Sequence, residues 1–280
     1  MVEFYKGNIP IIDVDFPNDA MTDMLHPGGR ESFGLVERDY NLFPEPMFAP
    51  PGDMVLIPES EWDARYDEQE EQQSSLEHMY LSGPNGTPVF VNLNQGEDGY
   101  CWNYSIGHSM MFDRLKRNLP IVRFNPHAGA AIIKNGANQG GWCGEGAAFA
   151  TSDGMAVEGT GPGQFPARSR NLKLITPAVK AEMAKYKIDE QWVDLTRQKW
   201  DRNMTVAQIA TDAFNNIPGP GDYNWWRHSV CRIRWVRVER GSWGQLIINS
   251  WPQWGRYGLG VLRGNKAVPN GALGIRTTTV

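Results

Sequence analysis

Residues 94–105 read Asn94-Gln95-Gly96-Glu97-Asp98-Gly99-Tyr100-Cys101-Trp102-Asn103-Tyr104-Ser105. The stretch runs from a glycine-containing loop into a pattern with Trp102, Ile106, Met110 and Leu115 near one face, which predicts a helix over 101–117 that begins at Cys101. A thiol at the first turn of a helix lies beside unpaired backbone N–H groups and the positive end of the dipole, and both favour thiolate. Gln95, upstream across the glycine loop, can aim its side-chain amide at the same point. Together with the Cys101 N–H it would stabilise an oxyanion. Cys101 is thus a candidate nucleophile, whereas Cys143 and Cys231 read as small buried apolar groups. Three cysteines do not make a disulfide framework.

A nucleophile of this kind needs a base, and the chain has five histidines. His26 falls in the N-terminal region, His78 in a polar helix, and His127 follows Pro126 in a loop. His108 is on the nucleophile's own helix, too far along it to reach the sulfur. Each of these reads as a packed or surface imidazole. His228 differs, because it opens a run of period two in which Cys231, Ile233 and Trp235 alternate with Arg232 and Arg234. A turn near 239–242 returns the chain as 245–249. Such a hairpin brings His228 and Asn249 to one end of a ribbon, where the Asn oxygen can accept from one ring nitrogen and orient the other toward the sulfur.

Working outward, residues 1–57 lack periodicity and are dense in Pro, Gly, Asp and Met, so they read as an extended arm. A helix is expected over 58–81, capped by Ser60, with the acidic run 67–71 as a solvated face. A short strand is expected at 88–93. Further helices are expected at 145–153, closed by Gly154 in the left-handed conformation, after Thr176-Pro177, and at 205–215. Helices precede strands, which argues for an α+β fold with segregated layers. With 41% hydrophobic residues in 280, the chain can bury one core or two packed lobes. A formal charge of −5 gives no electrostatic footprint for nucleic acid or an anionic membrane. No apolar run approaches the ~18 to 20 residues that span a bilayer, and no signal-like segment follows the charged start, so export by a signal peptide is not expected.

These residues resemble the papain-like cysteine peptidases. The family's nucleophile motif, N-Q-G-x-C-G-x-C-W-x-F-S, is matched by Asn94-Gln95-Gly96, Gly99, Cys101-Trp102 and Ser105, with Tyr104 in the aromatic place. Its second block is matched by His228-Ser229-Val230, then Asn249-Ser250-Trp251, Trp254-Gly255 and Gly258. The separations of His228 and Asn249 from Cys101 lie near the ~130 to 150 residues usual for the family. The resemblance implies a two-lobe fold over 82–280, with a helical lobe at about 94–170 and a β lobe at about 171–280. Residues 1–81 would form an arm with one polar helix. It also implies catalytic roles for Cys101, His228, Asn249 and Gln95, with Trp251 shielding the His–Asn bond and Gly140-Gly141 holding an extended polypeptide substrate. No cofactor or metal is called for.

Three positions depart from the pattern. Asp98 stands where the family has a disulfide cysteine, which fits a reducing compartment; Arg227 replaces an acid or amide beside His228; Pro252 replaces a glycine. Less specifically, Ile57–Trp62 and Asn224-Trp225-Trp226 look similar to papain-like open reading frames of tailed bacteriophages. That likeness implies a virion or host-cytoplasm setting, virion proteins as partners, and a structural or decorating role as the alternative to hydrolysis. An acyl transfer by the same three residues is a further option. The arm is expected to dock on its own domain or on a partner chain.

Overall fold

A computed structural model describes residues 2–16, 33–39, 41–42, 55–188, 193–194, 205–239 and 241–275. His26 and the proline-rich parts of the arm at 43–46 and 49–52 lie outside these residues. The described elements, in chain order, begin with β1 (Phe4–Tyr5), β2 (Ile9–Ile12), α1 (Glu59–Gln72), α2 (Leu76–Tyr80) and α3 (Cys101–Lys116). Then follow α4 (Pro126–Ile133), α5 (Cys143–Ser152), α6 (Pro177–Met183), β3 (Val193–Asp194) and α7 (Val206–Phe214). The chain finishes with β4 (Gly219–Tyr223), β5 (His228–Glu239), β6 (Ser242–Ile248), β7 (Leu259–Arg263) and β8 (Gly271–Gly274).

The fold is α+β, as the order of patterns implies. One sheet runs β1-β2-β7-β6-β5-β4-β8-β3. Its pairs are antiparallel except β2 with β7, where Ile11 faces Val261 and Ile12 faces Leu262. Within residues 1–57, expected as an extended arm, β1 and β2 are thus regular strands of the sheet. Ile9, Ile11 and Ile12 are buried in the main core, and a strand of four residues is too short to show a period.

The helix expected over 58–81 is two helices. Gln73 adopts a left-handed conformation (φ 52°), and Ser75 caps the second by accepting the His78 N–H at 3.3 Å. Pro58, not Ser60, occupies the first N-cap position. On α1, Trp62, Tyr66 and Gln69 recur at helical spacing and form its buried face. Trp62 meets Trp235 and Trp243 edge-on with centroids 5.7 and 5.6 Å apart. The acidic run is only partly solvated. Asp67 bonds Arg237 at 2.5 Å, and Glu70 joins Glu77 in holding the fully buried Arg234, each at 2.6 Å. The stretch 88–93 forms no strand, and its Val89 N–H is used by the Tyr80 carbonyl.

The central helix α3 is buried from Cys101 to Arg114 and packs against β5. A helix enclosed on all sides must satisfy its own polar side chains. Asn103 donates to the Pro126 carbonyl at 2.5 Å, the Ser105 hydroxyl meets that of Ser229 at 2.9 Å, and His108 Nε2 lies 2.6 Å from Asn92 Oδ1. Burial lowers the His108 pKa to about 3, so the ring is neutral and structural. On the helical side a second apolar cluster joins Ala128, Ala156, Phe165, Val179 and Met183. Thr176 caps α6 as expected, and Thr205 caps α7, one residue before the helix begins. Gly154 takes φ +94° at the end of α5.

Candidate active site

Cys101 is the first residue of α3, as the sequence predicts. Its N-cap neighbour Tyr100 makes no side-chain capping bond, and the Cys101 and Trp102 N–H groups turn to the Cys101 sulfur. His228 opens β5. The ladder pairs Cys231 with Ile248, which sets Asn249, just past β6, at the same end of the sheet as His228. The two side chains meet, His228 Nε2 lying 2.8 Å from Asn249 Oδ1. An amide oxygen only accepts, so Nε2 carries the hydrogen and Nδ1 is the ring's basic position.

Trp251 stacks on the imidazole, centroids 4.6 Å apart and planes within 1°. Trp226 meets it edge-on at 4.7 Å. This aromatic wall keeps water from the His228–Asn249 bond. Gln95 is fixed by a bond from the Ser250 hydroxyl to its Oε1 and by its own N–H to the Ser250 carbonyl at 3.1 Å. Its Nε2 donates to the Asp98 carbonyl at 3.1 Å. The sulfur of Cys101 lies within bonding reach of the Ser229 backbone N–H, one residue past His228. Loop, helix and two strands thus converge on one point.

The state of the thiol differs from the sequence expectation. Cys101 is fully buried, and that burial pushes its pKa well above the ordinary range. Bonds from the backbone N–H groups of Ser229, Trp102 and Cys101 itself pull the other way, while the nearby Asp222 carboxylate opposes them. Partial charges at a helix end are outweighed when the sulfur is stripped of water, so in this arrangement the group is a neutral thiol.

No known family model matches the chain, and no curated protein matches it in sequence. Solved structures do match. Xylellain, a cysteine protease from Xylella fastidiosa, is similar with a TM-score of 0.58 and 15% identity, over 89% of this chain and 98% of that one. Digestive procathepsin L2 proteinase of the Tenebrio molitor larval midgut is similar with a TM-score of 0.59 and 15% identity, over 96% and 84%. The Amb a 11 cysteine protease of ragweed pollen, in its proform, gives 0.51 and 15%, over 77% and 75%. The protein has the papain-like fold. At such identity the likeness carries the fold alone, and the chemistry of this papain-like protein stands on its own side chains.

The protein's own N-terminal arm lies against the residues around the buried thiol. Residues 33–36 cross the candidate site. Phe33 packs edge-on against His228 at 4.9 Å and Trp251 at 4.6 Å, and its carbonyl oxygen lies 3.5 Å from Gln95 Nε2. Its N–H donates to the Arg227 carbonyl at 3.2 Å. Gly34 slips between Gly99 and Gly140. A Cβ on Gly34, which takes φ +102°, would lie 1.9 Å from the Gly99 oxygen. The arm then pairs with Gly141 as a parallel strand would. The Gly141 N–H donates to the Gly34 carbonyl and the Val36 N–H to the Gly141 carbonyl, both at 2.9 Å. Bare backbone is required on this rail, since a Cβ on Gly140 would lie 2.5 Å from the Gly34 oxygen.

Sequence reasoning did not anticipate that Phe33–Val36 belong to the site, and no local pattern marks them. It also passed over Asp222, the acid on β4 that lies opposite Ser229. Asp98 does not sit idle at the lost disulfide position. It takes His127 Nε2 at 2.8 Å and Arg170 at 3.4 Å. Among the described residues Glu70, Glu77 and His78 converge closely enough to suggest a cation site, but Arg234 and Lys6 already neutralise the two acids.

Proposed function

We propose that this papain-like protein is a cysteine peptidase, or a closely related amide hydrolase, whose own arm holds the site closed. The reading rests above all on the 2.8 Å bond between His228 and Asn249, with the Cys101 sulfur packed against the residue that follows His228. In the open state His228 takes the thiol proton through Nδ1, giving thiolate and imidazolium. The thiolate attacks the carbonyl carbon of a peptide. The resulting oxyanion is held by the Cys101 N–H and by Gln95 Nε2, the amide that lies within 3.5 Å of the Phe33 carbonyl in the closed form. His228 then protonates the leaving amine, and a water deprotonated by the same ring hydrolyses the thioester. Asn249 and Trp251 keep the ring oriented and dry.

The arm also supports polypeptide as the substrate class. Its residues 34–36 exchange backbone bonds with Gly141, the way an extended peptide adds to an exposed edge. Incubation of the intact chain with an epoxide thiol-peptidase probe between pH 5 and 8, followed by peptide mapping, tests the proposal. Alkylation confined to Cys101 and abolished in His228→Ala is expected. Folded protein that gives no Cys101 adduct at any pH overturns it. Mass spectrometry of products formed with an added amine distinguishes hydrolysis from acyl transfer.

A further inference from the structure

A polar cluster behind Gln95 has no part in the hydrolytic steps. The amide nitrogen of Gln95 carries two hydrogens. One goes to the Asp98 backbone carbonyl at 3.1 Å. The other faces the Phe33 carbonyl at 3.5 Å, the place a peptide carbonyl takes in the proposed reaction. Gln95 Oε1 is fixed separately by the Ser250 hydroxyl. With that oxygen pinned, the direction of the second N–H depends on where the Asp98 carbonyl is held. The same carbonyl also accepts the Tyr100 N–H at 2.9 Å.

Asp98 is itself held through its side chain. Its Oδ2 takes the His127 Nε2 hydrogen at 2.8 Å and lies 3.4 Å from Arg170 Nε. His127 sits in the first turn of α4 and is fully buried. Burial holds its ring below the ordinary pKa, although the Asp98 bond opposes the shift, so at neutral pH the ring is neutral. With the hydrogen on Nε2, the Nδ1 atom accepts from the Tyr104 hydroxyl at 3.1 Å, on the buried face of α3. Tyr100 packs edge-on against the same ring, centroids 4.8 Å apart. A line of bonds thus runs from Tyr104 in the core through His127 and Asp98 to Gln95. We propose that Asp98 and His127 are positioning residues that aim the second N–H of Gln95 at the carbonyl oxygen of the bond attacked by Cys101. This rests on the peptidase reading above and deepens it at the oxyanion.

A purely structural role for the pair predicts something different. Loosening of the chain over 95–101 would disturb the thiol as much as the amide. Loss of aim touches only the steps in which an oxyanion forms. Alkylation by iodoacetamide makes an S–C bond at a saturated carbon as iodide leaves, so it forms no oxyanion and needs no donor.

The test uses the intact chain carrying Gly34→Val, to which His127→Leu, His127→Gln, Gln95→Ala or His127→Leu with Gln95→Ala is added. Turnover of a fluorogenic peptide amide and alkylation of Cys101 by iodoacetamide are followed side by side. His127→Leu is expected to lower kcat about tenfold or more, with KM and the alkylation rate unchanged within about twofold. His127→Gln, whose amide N–H can still reach Asp98, should recover most of the loss. The double variant should be no slower than Gln95→Ala alone, because the pair acts through Gln95. Should His127→Leu fail to fold, Asp98→Ala, at a half-buried position, carries the same expectation. An unchanged kcat, equal losses in turnover and alkylation, no recovery in His127→Gln, or losses that multiply in the double variant overturn the assignment. A folded Gly34→Val parent that is alkylated at Cys101 yet cleaves nothing sinks the peptidase reading itself, and this inference with it.

Discussion

Two of the contacts that the described residues of the N-terminal arm make with the rest of the molecule are built differently. At β2 the arm is part of the sheet. Ile9, Ile11 and Ile12 are buried in the core, and Arg263 on β7 ties down Asp13 and Glu3. At 33–36 the arm crosses the candidate active site on a few backbone bonds, with a single large ring, Phe33, wedged against His228. Burial of three isoleucines is worth several kcal/mol, whereas each backbone bond at the partly solvated rail nets about 1 kcal/mol. A blocking segment held weakly at the site but leashed firmly nearby can leave and return without the fold coming apart.

The contrast can be broken at its strong end first. Ile12→Ala removes buried methyl groups from the sheet and is expected to cost about 2–4 kcal/mol, read as a lower midpoint in urea. A loss below 0.5 kcal/mol would mean β2 is an ornament.

The site's own cost comes next. Asp222 titrates near 6 in the folded chain against an ordinary value of 3.8, because burial disfavours its charge. The native state therefore holds this proton more tightly than the unfolded chain does, and ionisation works against folding as pH rises from 3.8 through about 6. Asp222→Asn keeps the acceptor and removes the charge. It should stabilise the protein by about 1–3 kcal/mol above pH 7, with the gain gone below pH ~4. Thermal melts at pH 4 and 8 check the sign, and a destabilisation at pH 8 would contradict it.

At the weak end, Gly34→Val forces a Cβ into the Gly99 carbonyl and should expel residues 33–36 while β2 stays paired. Hydrogen exchange at the Gly141 and Val36 amides is expected to quicken about tenfold or more, with global stability changed by less than about 1 kcal/mol. The smallest effect is expected from Arg263→Gln, which loses a part-buried pair with Asp13 and an exposed one with Glu3, about 0.5–1 kcal/mol, less at high salt. A larger loss there would mean that charge, not the isoleucines, holds the leash.

The helix that begins at Cys101 and the His–Asn hairpin were legible in the sequence because both are local. A helix that begins at Cys101 and a period-two run that begins at His228 are stated by neighbouring residues, and the hairpin register then does the rest. The arm was not, because β2 finds its partner some 250 residues away and residues 33–36 dock by backbone, which leaves no mark on side-chain pattern. The sign of the Cys101 shift was missed as well, since full burial of the sulfur is a tertiary property that the local pattern around Cys101 does not state. The features that looked phage-like have structural uses here: Trp62 fills an aromatic cluster with Trp235 and Trp243, and Trp226 walls the imidazole.

Turnover of a mixed fluorogenic peptide library by wild type, Gly34→Val and the Gly34→Val/Cys101→Ala double variant addresses the claim of a self-covered peptidase at its centre. Hydrolysis should be slow in wild type, at least tenfold faster once residue 34 carries a side chain, and absent without the sulfur. Folded Gly34→Val that cleaves nothing, or a double variant that cleaves equally well, would contradict it.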